Sequence, residues 1–139
     1  MKGSKSMISV AFVLFVLLAP AFAQTATVRV SLPFDFAVGQ QTLTAGEYRV
    51  IVDSRTVRVA PMDGQGIDCG SFAYISPAPG QDLSPKLIFH RYGDRYFLSE
   101  VWTGDVKRGH KLMVSTTERE YARAASPAST TVLATRLPN

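Results

Sequence analysis

Along most of the chain, apolar and polar residues alternate with a period of two rather than 3.6, the pattern of strands with unlike faces. Thr27-Val28-Arg29-Val30-Ser31-Leu32 sets Val28, Val30 and Leu32 on one face and Arg29 and Ser31 on the other. Pro33, which cannot donate to a ladder, ends that strand or marks an edge. Residues 34–38 continue extended, Gly39-Gln40-Gln41 turns, and Leu43-Thr44-Ala45-Gly46 turns again into a strand over 47–52. Asp53-Ser54-Arg55 reverses the chain, and Thr56-Val57-Arg58-Val59-Ala60 returns as its hairpin partner. A loop with the hairpin-type pair Asp63-Gly64 leads to a strand over 67–76, and proline-rich residues 77–85 form an exposed connection.

The strongest local signal is Lys86-Leu87-Ile88-Phe89-His90-Arg91-Tyr92, then Gly93-Asp94, then Arg95-Tyr96-Phe97-Leu98-Ser99-Glu100-Val101-Trp102. A two-residue loop at Gly93-Asp94 places Tyr92 opposite Arg95, His90 opposite Phe97 and Phe89 opposite Leu98. Leu87, Phe89, Tyr96, Leu98 and Trp102 then share one face; Ile88, His90, Tyr92, Phe97 and Val101 share the other. Both faces are mostly apolar, which predicts a hairpin covered on both sides. A one-residue bulge would change that assignment.

The period changes at residues 116–125, where helix formers gather and Thr117 with Glu120 fits a capping box. Ser126-Pro127 ends the helix, and residues 130–137 read as a last strand. Together these elements predict an all-β fold with one short C-terminal helix, an antiparallel sandwich or small barrel of six to eight strands. Thr-Val-Arg-Val occurs at 27–30 and 56–59 but extends no further, as strand alternation alone produces.

The first 23 residues follow a different logic. Lys2 and Lys5 precede an unbroken apolar run over residues 7–18, and Ala21 and Ala23 stand at the positions a signal peptidase reads. That run of 12 residues is short of the roughly 20 a spanning helix needs. The expectation is a signal peptide over 1–23, cleaved after Ala23, and a single mature domain over 24–139. Removing 23 of the 139 residues leaves 116, enough to bury roughly two thirds of the unfolded surface without metals or disulfides. Losing Lys2 and Lys5 takes 15 basic against 11 acidic residues to 13 against 11, so the net charge of +4 falls to +2. No basic run of the nucleic-acid or anionic-membrane type remains. Cys69 is the only cysteine, which excludes an intramolecular disulfide and predicts a packed strand thiol.

Residues 31–39, Ser-Leu-Pro-Phe-Asp-Phe-Ala-Val-Gly, and 42–50, Thr-Leu-Thr-Ala-Gly-Glu-Tyr-Arg-Val, resemble the front of an uncharacterised family of small exported bacterial proteins. Residues 89–102 are similar to that family's second hallmark, and Glu118-Arg119-Glu120 is similar to its charged helix. Thr44 stands where the family pattern has proline. The resemblance implies export and a β-rich domain; it carries no activity, ligand or functional residue.

Candidate chemistry is sparse. His90-Arg91-Tyr92-Gly93-Asp94 has the wrong spacing for a kinase catalytic loop, and no glycine-rich phosphate loop accompanies it. A hydrolase would draw on His90 with Ser99, which lies diagonal to it, or on a carboxylate such as Asp94; Gly-x-Ser-x-Gly is absent. His90 and His110 with one cysteine make no zinc spacing, and Asp63, Asp68 and Asp94 form no calcium loop. Glu47 and Glu100 are the only strand glutamates available to a glycosidase. Sugar stacking would use Tyr48, Tyr74, Tyr92, Tyr96 or Trp102. No catalytic residue, metal or cofactor is therefore expected. The expectation is a periplasmic or secreted β-domain with a non-catalytic binding or structural role. Its partner would be an envelope protein or extracellular polymer, not nucleic acid, and its mature chain has no membrane span. A carbohydrate-binding module and a small hydrolase using His90 are the alternatives.

Overall fold

The computed structural model describes residues 25–64, 69–77, 83–104 and 108–138. The expected signal peptide and its cleavage point, together with Asp68 and the start of the strand at Ile67, lie outside the described residues. Among those described, the elements are β1 (Ala26–Leu32), β2 (Phe36–Val38), β3 (Gln41–Leu43), β4 (Gly46–Val52), β5 (Thr56–Pro61) and β6 (Cys69–Pro77). After them come β7 (Lys86–Tyr92), β8 (Arg95–Trp102), β9 (Arg108–Leu112), α1 (Thr116–Ala124), β10 (Ala128–Leu133) and β11 (Thr135–Arg136).

The strands form one open sheet in the order β10-β7-β8-β9-β6-β5-β4-β1-β11, with β2 joined to β8 and β3 to β2. The expected β-rich fold with one short helix is present. The strand count and the purely antiparallel pairing are corrected: among the described residues 11 strands form, β2 runs parallel to β8 at Ala37 and Phe97, and the sheet does not close. β2, β3 and β11 are three, three and two residues long, too short for alternation to reveal. β9 has Leu112 as its only large apolar residue, and pairing with β6 and β8 on either side makes it a strand. The last predicted strand is two, divided at Ala134.

The sheet bends over one core. β6 pairs with β5 over Cys69–Phe72 and with β9 from Ala73 onward, so a single strand passes between the two halves. At the far ends, β10 pairs with β7 and β11 with β1, and only Ala134 separates them in the chain. Val28, Val30 and Leu32 of β1, Val50 of β4 and Val57 of β5 pack into the same cluster as Leu87, Phe89, Leu98 and Val101 of the β7–β8 hairpin. Each such side chain contributes about 2 kcal/mol of burial. The two Thr-Val-Arg-Val segments flank β4 on opposite sides, each facing its valines inward.

The β4–β5 turn is held by one side chain. Asp53 Oδ1 accepts from the backbone N–H groups of Arg55 and Thr56, both at 3.0 Å, and Oδ2 accepts from the Thr56 hydroxyl at 2.8 Å. The Arg55 N–H, followed by the Thr56 hydroxyl, holds the Asp53 carboxyl below its usual range. A carboxyl whose native pKa is depressed stabilises the fold at neutral pH and loses that contribution as pH falls through the native pKa. Asp53→Ala is expected to lower stability by about 0.5–1 kcal/mol at pH 7, the modest size reflecting solvent screening. The gap should narrow below the ordinary aspartate range. Urea midpoints measured across the acid range check this, and a gap constant down to pH 2 would refute it.

The β7–β8 hairpin turns at Gly93-Asp94 with Tyr92 opposite Arg95, His90 opposite Phe97 and Phe89 opposite Leu98, as expected. Gly93 has φ +61°, the left-handed conformation that glycine adopts without a Cβ penalty. Beyond Phe89 the register slips, with Ile88 opposite Glu100, so Ser99 has no partner on β7. The slip exchanges the expected faces of the last two apolar residues. Val101 enters the core, and Trp102 leaves it.

Candidate functional site

Two features of the described residues have chemistry to offer: a polar cluster beneath α1 and an exposed aromatic face on β6.

The polar cluster begins at the bulge. Ser99, freed from the ladder, shares the hairpin's outer face with His90, and its Oγ lies 3.2 Å from His90 Nε2. That face is covered by α1, whose Tyr121 ring packs on Tyr92 and Phe97. The helix starts two residues earlier than the expected capping box. Ser115 is the N-cap, its Oγ accepting the Glu118 N–H at 3.1 Å, while Thr117 donates to Gln40. Glu118 does not reach back to the cap. Its Oε1 lies 2.7 Å from His90 Nδ1 and accepts from the Tyr92 hydroxyl at 3.2 Å. Burial, followed by the Glu118 charge, raises the Tyr92 phenol above its ordinary value.

With Glu118 ionised and the imidazole neutral, Nδ1 donates to the carboxylate and Nε2 accepts the Ser99 hydroxyl proton. The connectivity is that of a serine–histidine–acid relay. Access is another matter. Ser99 is 5% exposed and Glu118 is buried, and none of the three grooves described below is lined by His90 or Ser99. The chain of bonds fastens α1 to the hairpin. Asp94, the expected carboxylate, lies instead at the hairpin tip, where it lines a groove of about 310 Å³ with Asp35, Arg95 and Thr117. Sequence reasoning missed Glu118 because nothing in its local pattern ties a residue in the helix's first turn to His90.

The remaining candidates are scattered. Glu47 pairs with Arg29 at 2.7 Å, and Glu100 accepts from Trp102 Nε1 at 3.1 Å on the other half of the sheet. Asp63 follows β5, and His110 sits half-buried in β9. Among the described residues, no group of three His, Cys, Asp or Glu side chains is placed to hold a metal ion. Cys69 is a buried thiol donating to Gln41 Oε1 at 2.6 Å.

Of the expected stacking aromatics, Tyr48, Tyr92 and Trp102 are buried and Tyr96 stacks on Phe34 with ring centroids 3.9 Å apart. Trp102 lies directly beneath Gly109, where an added Cβ would come within 2.5 Å of the indole. Tyr74 is 50% exposed, and two positions before it Phe72, which sequence reasoning passed over, is 73% exposed. Both rings leave β6 on its outer face. Met113 and Val114, also exposed, follow β9 beside them, with the Met113 N–H donating to the Phe72 carbonyl at 3.0 Å. Phe72 borders two grooves, of about 470 and 330 Å³, which share Gly70, Ser71 and Phe72. Arg119 lines the first and Arg58 the second.

No protein-family model, curated protein or solved structure matches this chain.

Proposed function

We propose that this chain is an exported, non-catalytic β-sandwich domain that binds an envelope component or extracellular polymer through the outer face of β6. The observation that carries the reading is the exposed cluster of Phe72, Tyr74, Met113 and Val114. Large apolar side chains gathered on a surface cost solubility, and such patches mark binding sites. The sandwich reading is supported by β6 bridging two half-sheets over one core. Export is supported by the charge, run length and small residues of the first 23 positions, and by the resemblance to exported bacterial proteins at residues 31–39, 42–50 and 89–102. No helix among the described residues is long and apolar enough to cross a membrane.

The expected result is a protein recovered outside the cytoplasm with Gln24 as its first residue. It should be retained on envelope or exopolymer material and released by Phe72→Ala, with the unfolding free energy within about 0.5 kcal/mol of wild type. An intact N-terminus on cytosolic protein would refute export. Undiminished retention of the variant would refute the surface.

The hydrogen-bonded series Ser99, His90 and Glu118 favours a second reading, a small hydrolase with Ser99 as nucleophile. It requires Ser99 to become reachable by substrate. Labelling of Ser99 by an activated phosphonate, lost in His90→Ala, would establish it.

A further inference from the structure

We propose that the outer face of β6 takes an acidic polysaccharide, a polymer of sugar rings bearing carboxylates, laid across the Phe72 ridge. The inference rests on the reading of that face as the binding surface and names what it binds. Phe72 and Tyr74 occupy alternate positions of one strand, roughly 6.6 Å apart along it. A strand with rings so placed presents platforms for the C–H faces of successive sugars without enclosing them. Gly70 removes the side chain two positions before Phe72, which lets a sugar approach the backbone beside the ring.

Charge chooses among polymers. The groove on one side of Phe72 carries Arg58 and the groove on the other carries Arg119, while no aspartate or glutamate lines either. Lys111 stands opposite Tyr74 in the β6–β9 register and opposite Glu100 in the β8–β9 register, so the two arginines carry most of the free positive charge. Among the described residues, none of these three cations is in an ion pair. A guanidinium matches a carboxylate with two parallel hydrogen bonds, so the two arginines would hold acid groups on either side of the ring. Gln40, Ser71 and Thr56 supply amide and hydroxyl partners for sugar hydroxyls. A neutral glucan would leave the arginines unused. An acidic peptide would satisfy them but brings no regular succession of ring faces for Phe72 and Tyr74.

Titration of the purified protein with polygalacturonate, neutral dextran and polyglutamate, at low and high salt, separates these cases. Polygalacturonate should bind alone. Phe72→Ala should weaken it about tenfold or more. Arg58→Gln and Arg119→Gln should each weaken it about threefold to tenfold at low salt and less at high salt, where charges are screened. Thermal midpoints of the variants should match wild type. Dextran binding equal to polygalacturonate, both lost in Phe72→Ala, would overturn the acidic specificity and leave the face a binding surface. Tighter binding of polyglutamate would overturn the polysaccharide in favour of an acidic peptide. Self-association lost in Phe72→Ala, with no polymer bound, would assign the face to a second copy. Wild-type affinity in Phe72→Ala, or no binding of any kind, would overturn both the ligand and the surface.

Discussion

Phe89→Ala is expected to lower the unfolding free energy by about 4 kcal/mol, the largest effect of any single substitution considered. Phe89 is fully buried, and its ring meets Phe34 and Phe36 edge to face with centroids 5.2 and 5.7 Å away. Alanine removes the transfer energy of the ring and leaves a space that a rigid double-stranded wall cannot close. β7 lies between β8 and β10, so its backbone is tied on both sides. Position 89 is also the last residue in register before the bulge. Phe89→Leu, which keeps much of the volume, should cost less than half as much. Urea unfolding followed by far-ultraviolet circular dichroism measures both. A loss under 1.5 kcal/mol for alanine would mean that the site collapses and that the core is less tightly held than the ring contacts imply.

Glu118→Ala is expected to cost about 3 kcal/mol and to loosen α1. One buried carboxylate receives both the imidazole and the phenol, so its loss leaves two side chains beneath the helix without their acceptor. The effect should show as faster amide exchange over Thr116–Ala124 with β7 and β8 still protected. Glu118→Gln keeps the volume and removes the charge, giving an independent readout at Tyr92. In wild type the phenol titrates above 10.0, through burial first and the carboxylate second. A raised native pKa gives stability that is whole below about pH 10 and declines above it, as the unfolded tyrosine ionises and the native one resists. Removing the charge should bring the phenol down part of the way, burial remaining, and make that alkaline decline shallower. An unmoved phenolate titration would show that Glu118 does not face Tyr92 in solution.

The legible parts of this fold are those where a face is settled within one strand. In β1 each inward valine is followed by an outward polar residue, and the structure follows the pattern through Leu32. The β7–β8 turn was legible because Gly93-Asp94 admits a tight reversal. What escaped depends on partners far away in sequence. Nothing in residues 86–102 reveals that Ser99 lacks a cross-strand mate, yet that one residue decides that Val101 rather than Trp102 faces the core. The same limit hid the aromatic face. Trp102 and Phe72 each occupy strands with apolar residues on both sides, and only the tertiary cover, with Gly109 against the indole, leaves Phe72 and not Trp102 in solvent. Glu118 was unreadable for a related reason, since a carboxylate in a helix's first turn is explained by the helix dipole alone.

Ala134 joins the strands that form the two rims of the open sheet, and this sets when the molecule can be finished. Val132 lies beside Leu87, and Arg136 beside Val28 almost the full length of the described chain away. A chain still emerging from a ribosome or threading a pore has neither rim, so its long inner strands lack their outermost neighbours until residues 128–136 arrive. Such distant closure is slow. Once made, it works as a clasp: parting one rim drags on the other through a single residue, so the margins where sheets fray are here bound to give way together.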